Sequence, residues 1–362
     1  MYIEKESFFI KSTPSPCKKQ KRNEFGTSSL HYSMDSPQDD FPASLTIKND
    51  HYCELRYGEN PHQTAALYAD PTVQEANVVA ALQLNPTAKE LSYNNYNDSD
   101  GALNLIKEFK QPAAAIIKHA NPAGCAVGKT ISEAYAKALS TDPMSAFGGV
   151  VALNQECDVK TAEQIVSSFK EVVVAPSYTE DSLAILRTKK NLRILSVGEL
   201  NSPSVILVEK PIVGGRLIQQ RDLSSLSSKD LKVVTKLEPT PAQIETMLFA
   251  WKVVKHVKSN AIVFATGTET VGLGMGQVSR VDAVRLASIK AVEHSENKTP
   301  QGAIMASDAF FPFPDALETA AEAGISAVIQ PGGSINDDAV IDAANNLDIS
   351  MVFTGTRCFK HD

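Results

Sequence analysis

The sequence predicts an α/β fold, on three observations. Short apolar runs of four or five residues recur between stretches of helical periodicity from Phe41 onward. Helix-start signals stand at Asp98 and at Thr240-Pro241. The same helix-strand rhythm occurs on either side of a Ser-rich, charged break at 223–229.

Residues 1–40 carry Ser-Pro pairs, the basic cluster Lys18-Lys19-Gln20-Lys21-Arg22 and Asp39-Asp40 without periodicity, so a disordered tail is expected there. A first α/β half is expected over 41–225. Within it Asp98 is expected to cap a helix whose apolar face is Ala102, Leu103, Leu105, Ile106 and Phe109. The strand Ala113–Ile117 follows, then strands near Val150–Leu153, Val172–Ala175, Leu192–Leu195 and Val205–Val208. A second half is expected over 226–362, ending in a docked tail. It opens with a helix capped by Thr240, with Pro241 in its first turn and Ile244, Met247, Leu248, Trp251, Val254 and Val257 on one face. Strands near Ala261–Phe264, Thr270–Leu273, Ser326–Ile329 and Ser350–Phe353 alternate with helices near Asp282–Val292, Asp315–Ala323 and Asp337–Asn346.

The bulk numbers exclude several functions. A chain of 362 residues with 43% hydrophobic content can bury a sizeable core, and a net charge of −7 argues against a nucleic-acid partner. No run reaches the length of a membrane span and the start is no signal core, so no membrane partner and a cytoplasmic location are expected. The five cysteines are scattered and read as reduced thiols. No zinc signature, P-loop or dinucleotide fingerprint occurs, so no metal is assigned.

The chemistry concentrates at Lys118 and His119, where an apolar run stops at a cation and an imidazole and enters Asn121-Pro122-Ala123-Gly124. In open α/β sheets ligands collect at such strand ends. An imidazole can take a proton at neutral pH and an ammonium can stabilise an oxyanion. A solvated strand end is the plain alternative for the dipeptide alone. Asn121–Gly124, Gly272–Gln277 and Gln330–Ser334 are expected to be glycine-bearing loops that could present backbone N–H groups to an anion. Asp308–Phe313 crowds aromatics around a proline, as core or as a slot for a flat heterocycle with Asp315 beside it. The cationic and aromatic end, Thr356–His361, suggests a docked tail at an anion site.

Taken together, Leu55-Arg56-Tyr57-Gly58-Glu59-Asn60-Pro61-His62-Gln63, Leu91-Ser92-Tyr93-Asn94-Asn95, the run from Lys118 to Gly128, Asp142-Pro143-Met144-Ser145-Ala146-Phe147-Gly148-Gly149, Lys258-Ser259-Asn260, Gly276 to Arg280 and Ser307 to Phe313 resemble the transformylase domain of the bifunctional purine-biosynthesis family. The resemblance spans about 41 to 361. It implies a duplicated cytidine-deaminase-like three-layer fold without zinc. It also implies transfer of a formyl group from 10-formyltetrahydrofolate to the 5-amino group of 5-aminoimidazole-4-carboxamide ribotide (AICAR).

Under that resemblance Lys118, His119 and Asn260 are the catalytic candidates, with His119 as proton acceptor. Arg56, Tyr57, Asn95, Gly148, Glu171, Arg357 and Phe359 look like AICAR-holding residues. Met144, Phe147, Arg280, Phe310, Pro312 and Asp315 look like the folate side. The co-substrate is 10-formyltetrahydrofolate, with no tightly bound cofactor and room left for a structural potassium ion. The partner implied is a second copy, in a homodimer that shares its active sites. The family's chain carries a cyclohydrolase domain ahead of this one, whereas only about 40 irregular residues precede Phe41 here. Ring closure is therefore expected to belong to another protein. A non-catalytic nucleotide-binding subunit pairing with a separate IMP cyclohydrolase is the competing function.

Overall fold

The computed structural model describes residues 45–201 and 207–361. The expected tail at 1–40 and the start of the expected strand Val205–Val208 lie outside the described residues.

The first half comprises the hairpin β1 (Asp50–Leu55) and β2 (Ala65–Ala69), β3 (Leu82–Gln83), α1 (Tyr93–Ile106), the hairpin β4 (Ala113–Lys118) and β5 (Asn121–Val127), α2 (Ile131–Leu139), α3 (Pro143–Ala146), β6 (Val150–Leu153), α4 (Val159–Val166), β7 (Val172–Ala175), α5 (Glu180–Arg187) and β8 (Arg193–Ser196). A separate hairpin, β9 (Leu207–Ile212) with β10 (Gly215–Gln220), intervenes. The second half comprises β11 (Lys232–Val233), α6 (Pro241–Val254), β12 (Ile262–Thr266), β13 (Glu269–Gly274), α7 (Arg280–Ile289), β14 (Ile304–Ser307), α8 (Asp315–Glu322), β15 (Ala327–Gln330), α9 (Asp337–Asn346) and β16 (Ser350–Phe353).

Twelve strands form one mixed sheet in the order β11-β16-β15-β14-β12-β13-β5-β4-β6-β7-β8-β3. Outward from the middle, each half repeats one plan: a hairpin, an antiparallel neighbour, two further parallel strands and a short antiparallel edge. The expected duplication of an α/β unit is therefore present.

The apolar runs are explained by burial on both faces of the sheet. Along β4, Ala113, Ala115 and Ile117 face one core while Ala114 and Ile116 face another. Along β12, Val263 and Ala265 join the first of these cores, and Ile262 and Phe264 join a third. The first core runs unbroken under both halves and takes in α1 and α6; the other face carries two separate cores. Each fully buried Ile or Phe contributes roughly 1.5–3 kcal/mol. Helices α1 and α6 start alike, each with a reciprocal capping box, from Ser92 with Asn95 and from Thr240 with Gln243. Asp98 is thus corrected from a helix cap to a residue inside α1.

The halves meet at β5 and β13, where a single register pair, Ala126 with Glu269, joins them. Beyond it the Thr270 hydroxyl takes over the ladder, accepting from Cys125 N at 3.0 Å and donating to Cys125 O at 3.1 Å. Polar bridges flank this seam: Lys298 Nζ donates to Lys137 O at 2.7 Å and Thr270 O at 2.8 Å, and Lys290 Nζ lies 2.8 Å from Asp142 Oδ2.

One expected glycine loop is instead strand, and a second is strand as far as Gly274, with Met275–Gln277 beyond it. Asn121–Gly124 lies in β5, and Gly272 and Gly274 lie in β13. Their glycines serve close packing: a Cβ on Gly124 would stand 2.0 Å from Ala138 O, and one on Gly272 2.3 Å from Ala287 O. Each is the fourth residue of its strand, so the duplication repeats at residue level. In the third loop Gly333 N and Ser334 N donate to the Asp337 carboxylate at 2.7 and 3.1 Å, so a side chain of the protein already fills the anion position. The strand Ile304–Ser307 was not foreseen. Cys125, Cys157 and Cys358 are free and buried, but Cys53 is disulfide-bonded, which corrects the expectation of reduced thiols there.

Candidate active site

The run of β4 ends at Lys118, whose ammonium donates to Gly148 O at 3.0 Å. Gly148 has φ +68, and a Cβ there would stand 3.1 Å from Lys118 Nζ, so glycine leaves room for the ammonium. The β4–β5 turn is only His119 and Ala120, both non-glycine residues at positive φ, 52 and 59. Such backbone is strained and persists only where its surroundings fix it. Asp98, projecting from α1, does so by accepting from Ala120 N at 2.7 Å. Burial raises the Asp98 carboxyl above its ordinary value against the opposing pull of the Ala120 and His119 amides and the nearby His119 and Lys118 side chains. His119 itself is exposed.

Of the candidate AICAR residues of the first half, Asn95 shares α1 with Asp98, and Gly148 holds the Lys118 ammonium. Asn95, at the third position of α1, donates to Glu171 Oε2 at 2.8 Å. Glu171 precedes β7 and is tied by backbone to Gly149 at 3.1 Å and Arg193 at 3.1 Å. Arg56 donates to Tyr57 Oη at 2.9 Å and lies over its ring. Arg193 feels the charges of Glu171, Arg56 and Tyr57, and burial lowers its guanidinium below the ordinary value. Gly148 N reaches Phe169 O at 2.8 Å, and the Phe147 and Phe169 rings lie 5.5 Å apart.

Asp142 sets the short α3. It caps the helix through Ser145 N at 2.9 Å and binds Lys290 and His294 of the second half at 2.8 and 3.3 Å. Burial would raise its carboxyl, but Lys290 and Ser145 overcome that and hold it below the usual value. The helix then holds Met144, 73% exposed, and Phe147, 60% exposed, at the surface.

The second half reaches the same end of the sheet. Lys258 N donates to Asn121 Oδ1 at 3.1 Å, directly beside the His119 turn. Asn260 is fully engaged: its amide nitrogen donates to Gln277 O at 2.8 Å and Val278 O at 3.0 Å, and its oxygen accepts from Arg280 Nη2 at 2.6 Å. Arg280 is buried and also bonded to Asp308, which Ser259 Oγ meets at 2.6 Å. The C-terminal tail docks here, with Cys358 N on Asp308 O at 3.0 Å and Ser259 N on Lys360 O at 2.8 Å. Arg357 lies over the Phe359 ring at 4.8 Å.

The fold thus gathers Lys118, His119, Gly148, Asn95 and Glu171 in one cluster and Asn260, Arg280 and the tail in a second, bridged by Asn121. Phe310 and Asp315 are exposed beyond β14, and Asn336 Nδ2 holds Pro312 O at 2.7 Å. Among the described residues these three, Met144 and Arg357 make no hydrogen bond or ion pair to Lys118 or His119. In the aromatic segment Phe311 is core while Phe310 and Phe313 remain exposed.

Asp98, Asn121, Arg193, Ser259 and Asp308 were missed as site residues. Asn95 and Asp98 stand three apart on one helical face, which is the signal that α1 turns a polar edge toward the strand end. The others act through partners distant in sequence and leave no local mark.

Among the described residues no cluster of three or more His, Cys, Asp or Glu side chains could hold a metal ion, and no helix is long and apolar enough to cross a membrane. In a comparison with known families, residues 25–290 match the family described as the AICARFT/IMPCHase bienzyme. That match covers most of the chain and includes the Lys118–His119 turn, the Asn95–Glu171 pair and the Asn260–Arg280 contact; the chain belongs to the AICARFT/IMPCHase bienzyme family of purine biosynthesis.

Proposed function

We propose that this protein is a formyltransferase that moves the formyl group of 10-formyltetrahydrofolate to the 5-amino group of AICAR. The observation that carries this is the Lys118-His119 pair on a fixed turn, with residues of both halves around it. The aryl amine is a weak nucleophile. As it attacks the formyl carbon, the imidazole of His119 accepts its proton. The former carbonyl oxygen becomes an oxyanion beside the Lys118 ammonium. Collapse of the tetrahedral intermediate breaks the bond to N10 of the folate, which takes up a proton and leaves as tetrahydrofolate. Both hydrogens of the Asn260 amide are already engaged, which supports a positioning role rather than direct oxyanion donation. Arg56 and Arg357 suit the ribotide phosphate, since guanidinium matches phosphate geometry. Exposed Met144, Phe147, Phe310 and Phe313 suit a flat folate ring and a second copy of the chain, in the cytoplasm. Single turnover with AICAR and 10-formyltetrahydrofolate, reading tetrahydrofolate formation, tests this; absence of product would favour a nucleotide-binding subunit.

A further inference from the structure

A cavity of about 250 Å³ opens between the segment Ser168–Lys170 and the loop Thr188–Leu192; neither Lys118 nor His119 lines it, and Phe169 in its wall adjoins Gly148 and Phe147 of the candidate site. The cavity lining includes three lysines, Lys170, Lys189 and Lys190, and no Asp or Glu. Lys170 is the unusual member: it is 3% exposed, and among the described residues its ammonium meets only Ser168 Oγ, at 2.5 Å. A buried ammonium is costly without a counter-charge. The facing loop is fixed in place, because Asn85 Nδ2 donates to Lys189 O at 3.2 Å and Leu192 O at 2.8 Å, and Thr87 Oγ1 donates to Lys190 O at 3.1 Å.

We propose that this cavity binds the phosphoryl group of a small organic phosphate, with Lys170 as its buried counter-charge and Lys189 and Lys190 closing over it. A phosphoryl dianion brings two negative charges and three terminal oxygens to the three lysines, whereas a carboxylate brings a single charge. At about 30 Å³ per water-sized group the cavity holds the five heavy atoms of phosphate and leaves space for a short organic body. Burial with no offsetting carboxylate brings the Lys170 ammonium down to about 8, and a bound dianion would push it back up. Glu171 faces Asn95 in the candidate active site while Lys170 faces the cavity.

Carbamylation of Lys170 by cyanate near pH 8, followed by peptide mass spectrometry, tests the proposal with inorganic phosphate as probe. Millimolar phosphate is expected to slow labelling of Lys170 by about tenfold or more, since it removes the free amine. The same protection is expected in Arg56→Ala, whose substituted residue belongs to the proposed AICAR site. Lys170→Met is expected to melt no lower than the wild type without phosphate, and to lose the rise in melting temperature that phosphate gives the wild type. Unchanged labelling with phosphate, protection that disappears in Arg56→Ala, or an equal phosphate response in Lys170→Met would each overturn it. None of these readouts depends on formyl transfer.

Discussion

A carboxylate oxygen of Asp98 in α1 accepts a 2.7 Å hydrogen bond from the backbone N–H of Ala120, the residue after His119. The bond ties the helix to the strained turn that carries the proposed proton acceptor. Asp98→Ala is expected to cost about 1–3 kcal/mol in urea unfolding and, by letting His119 wander, to lower formyl transfer about 10- to 100-fold. Asp98→Asn keeps an acceptor oxygen and should recover most of the stability. Equal losses in the two variants would remove the backbone bond as the cause.

His119→Ala is expected to lower turnover about 10²- to 10⁴-fold, the usual range for a lost general base. AICAR affinity, measured by calorimetry, should change little. Wild-type turnover would refute the assigned proton transfer.

The buried Arg280–Asp308 pair holds Asn260 through Arg280 Nη2. Arg280→Met leaves a carboxylate that is 0% exposed without its counter-charge, so a loss of about 3–5 kcal/mol is expected. The double variant Arg280→Met with Asp308→Leu should be less destabilised than the single one. Thermal melts of both check this.

Gly124 and Gly101 make an internal contrast. A Cβ on Gly124 collides with Ala138 O, whereas one on Gly101 in α1 has no neighbour within 4 Å. Gly124→Ala should cost about 1–3 kcal/mol or more, and Gly101→Ala should add roughly 0.5–1 kcal/mol. Chemical denaturation of the two distinguishes crowding from a general effect of added methyls.

Glu108, just beyond α1, meets His256 and Lys255, just beyond α6, at 3.1 and 3.0 Å. Burial would raise its carboxyl, but these two partners overcome it and bring it down to about 2. A depressed carboxyl stabilises the fold above its unfolded value near 4.3 and loses that contribution as pH falls toward about 2. Burial lowers the His256 imidazole, so its stabilising contribution is present above about 6.5 and declines as pH falls below that value. Glu108→Gln should flatten the urea midpoint between about pH 4.5 and 2.

Much of the fold was legible because both faces of the sheet are buried, which leaves β4, β6, β7 and β16 as plain apolar runs with clear limits. Thr240-Pro241 gave the start of α6 for local reasons. The site was legible only where a motif was contiguous. Asn121–Gly124 was mistaken for a loop because its proline and glycine mimic turn chemistry, while Gly124 answers to the helix packed upon it. The Arg280–Asp308 ion pair was not legible because its partners stand 28 residues apart. Phe311 and its aromatic neighbours divide between core and surface according to long-range packing.

The join between β5 and β13 has one register pair, against six for β4 with β5 and five for β12 with β13. Threonine hydroxyls and lysine side chains can tolerate a small torsion that a full backbone ladder resists. Twisting about that line would change the pitch of Lys118 relative to Asn260 while leaving each hairpin rigid, so the thinnest backbone join in the sheet lies between the two clusters of candidate site residues.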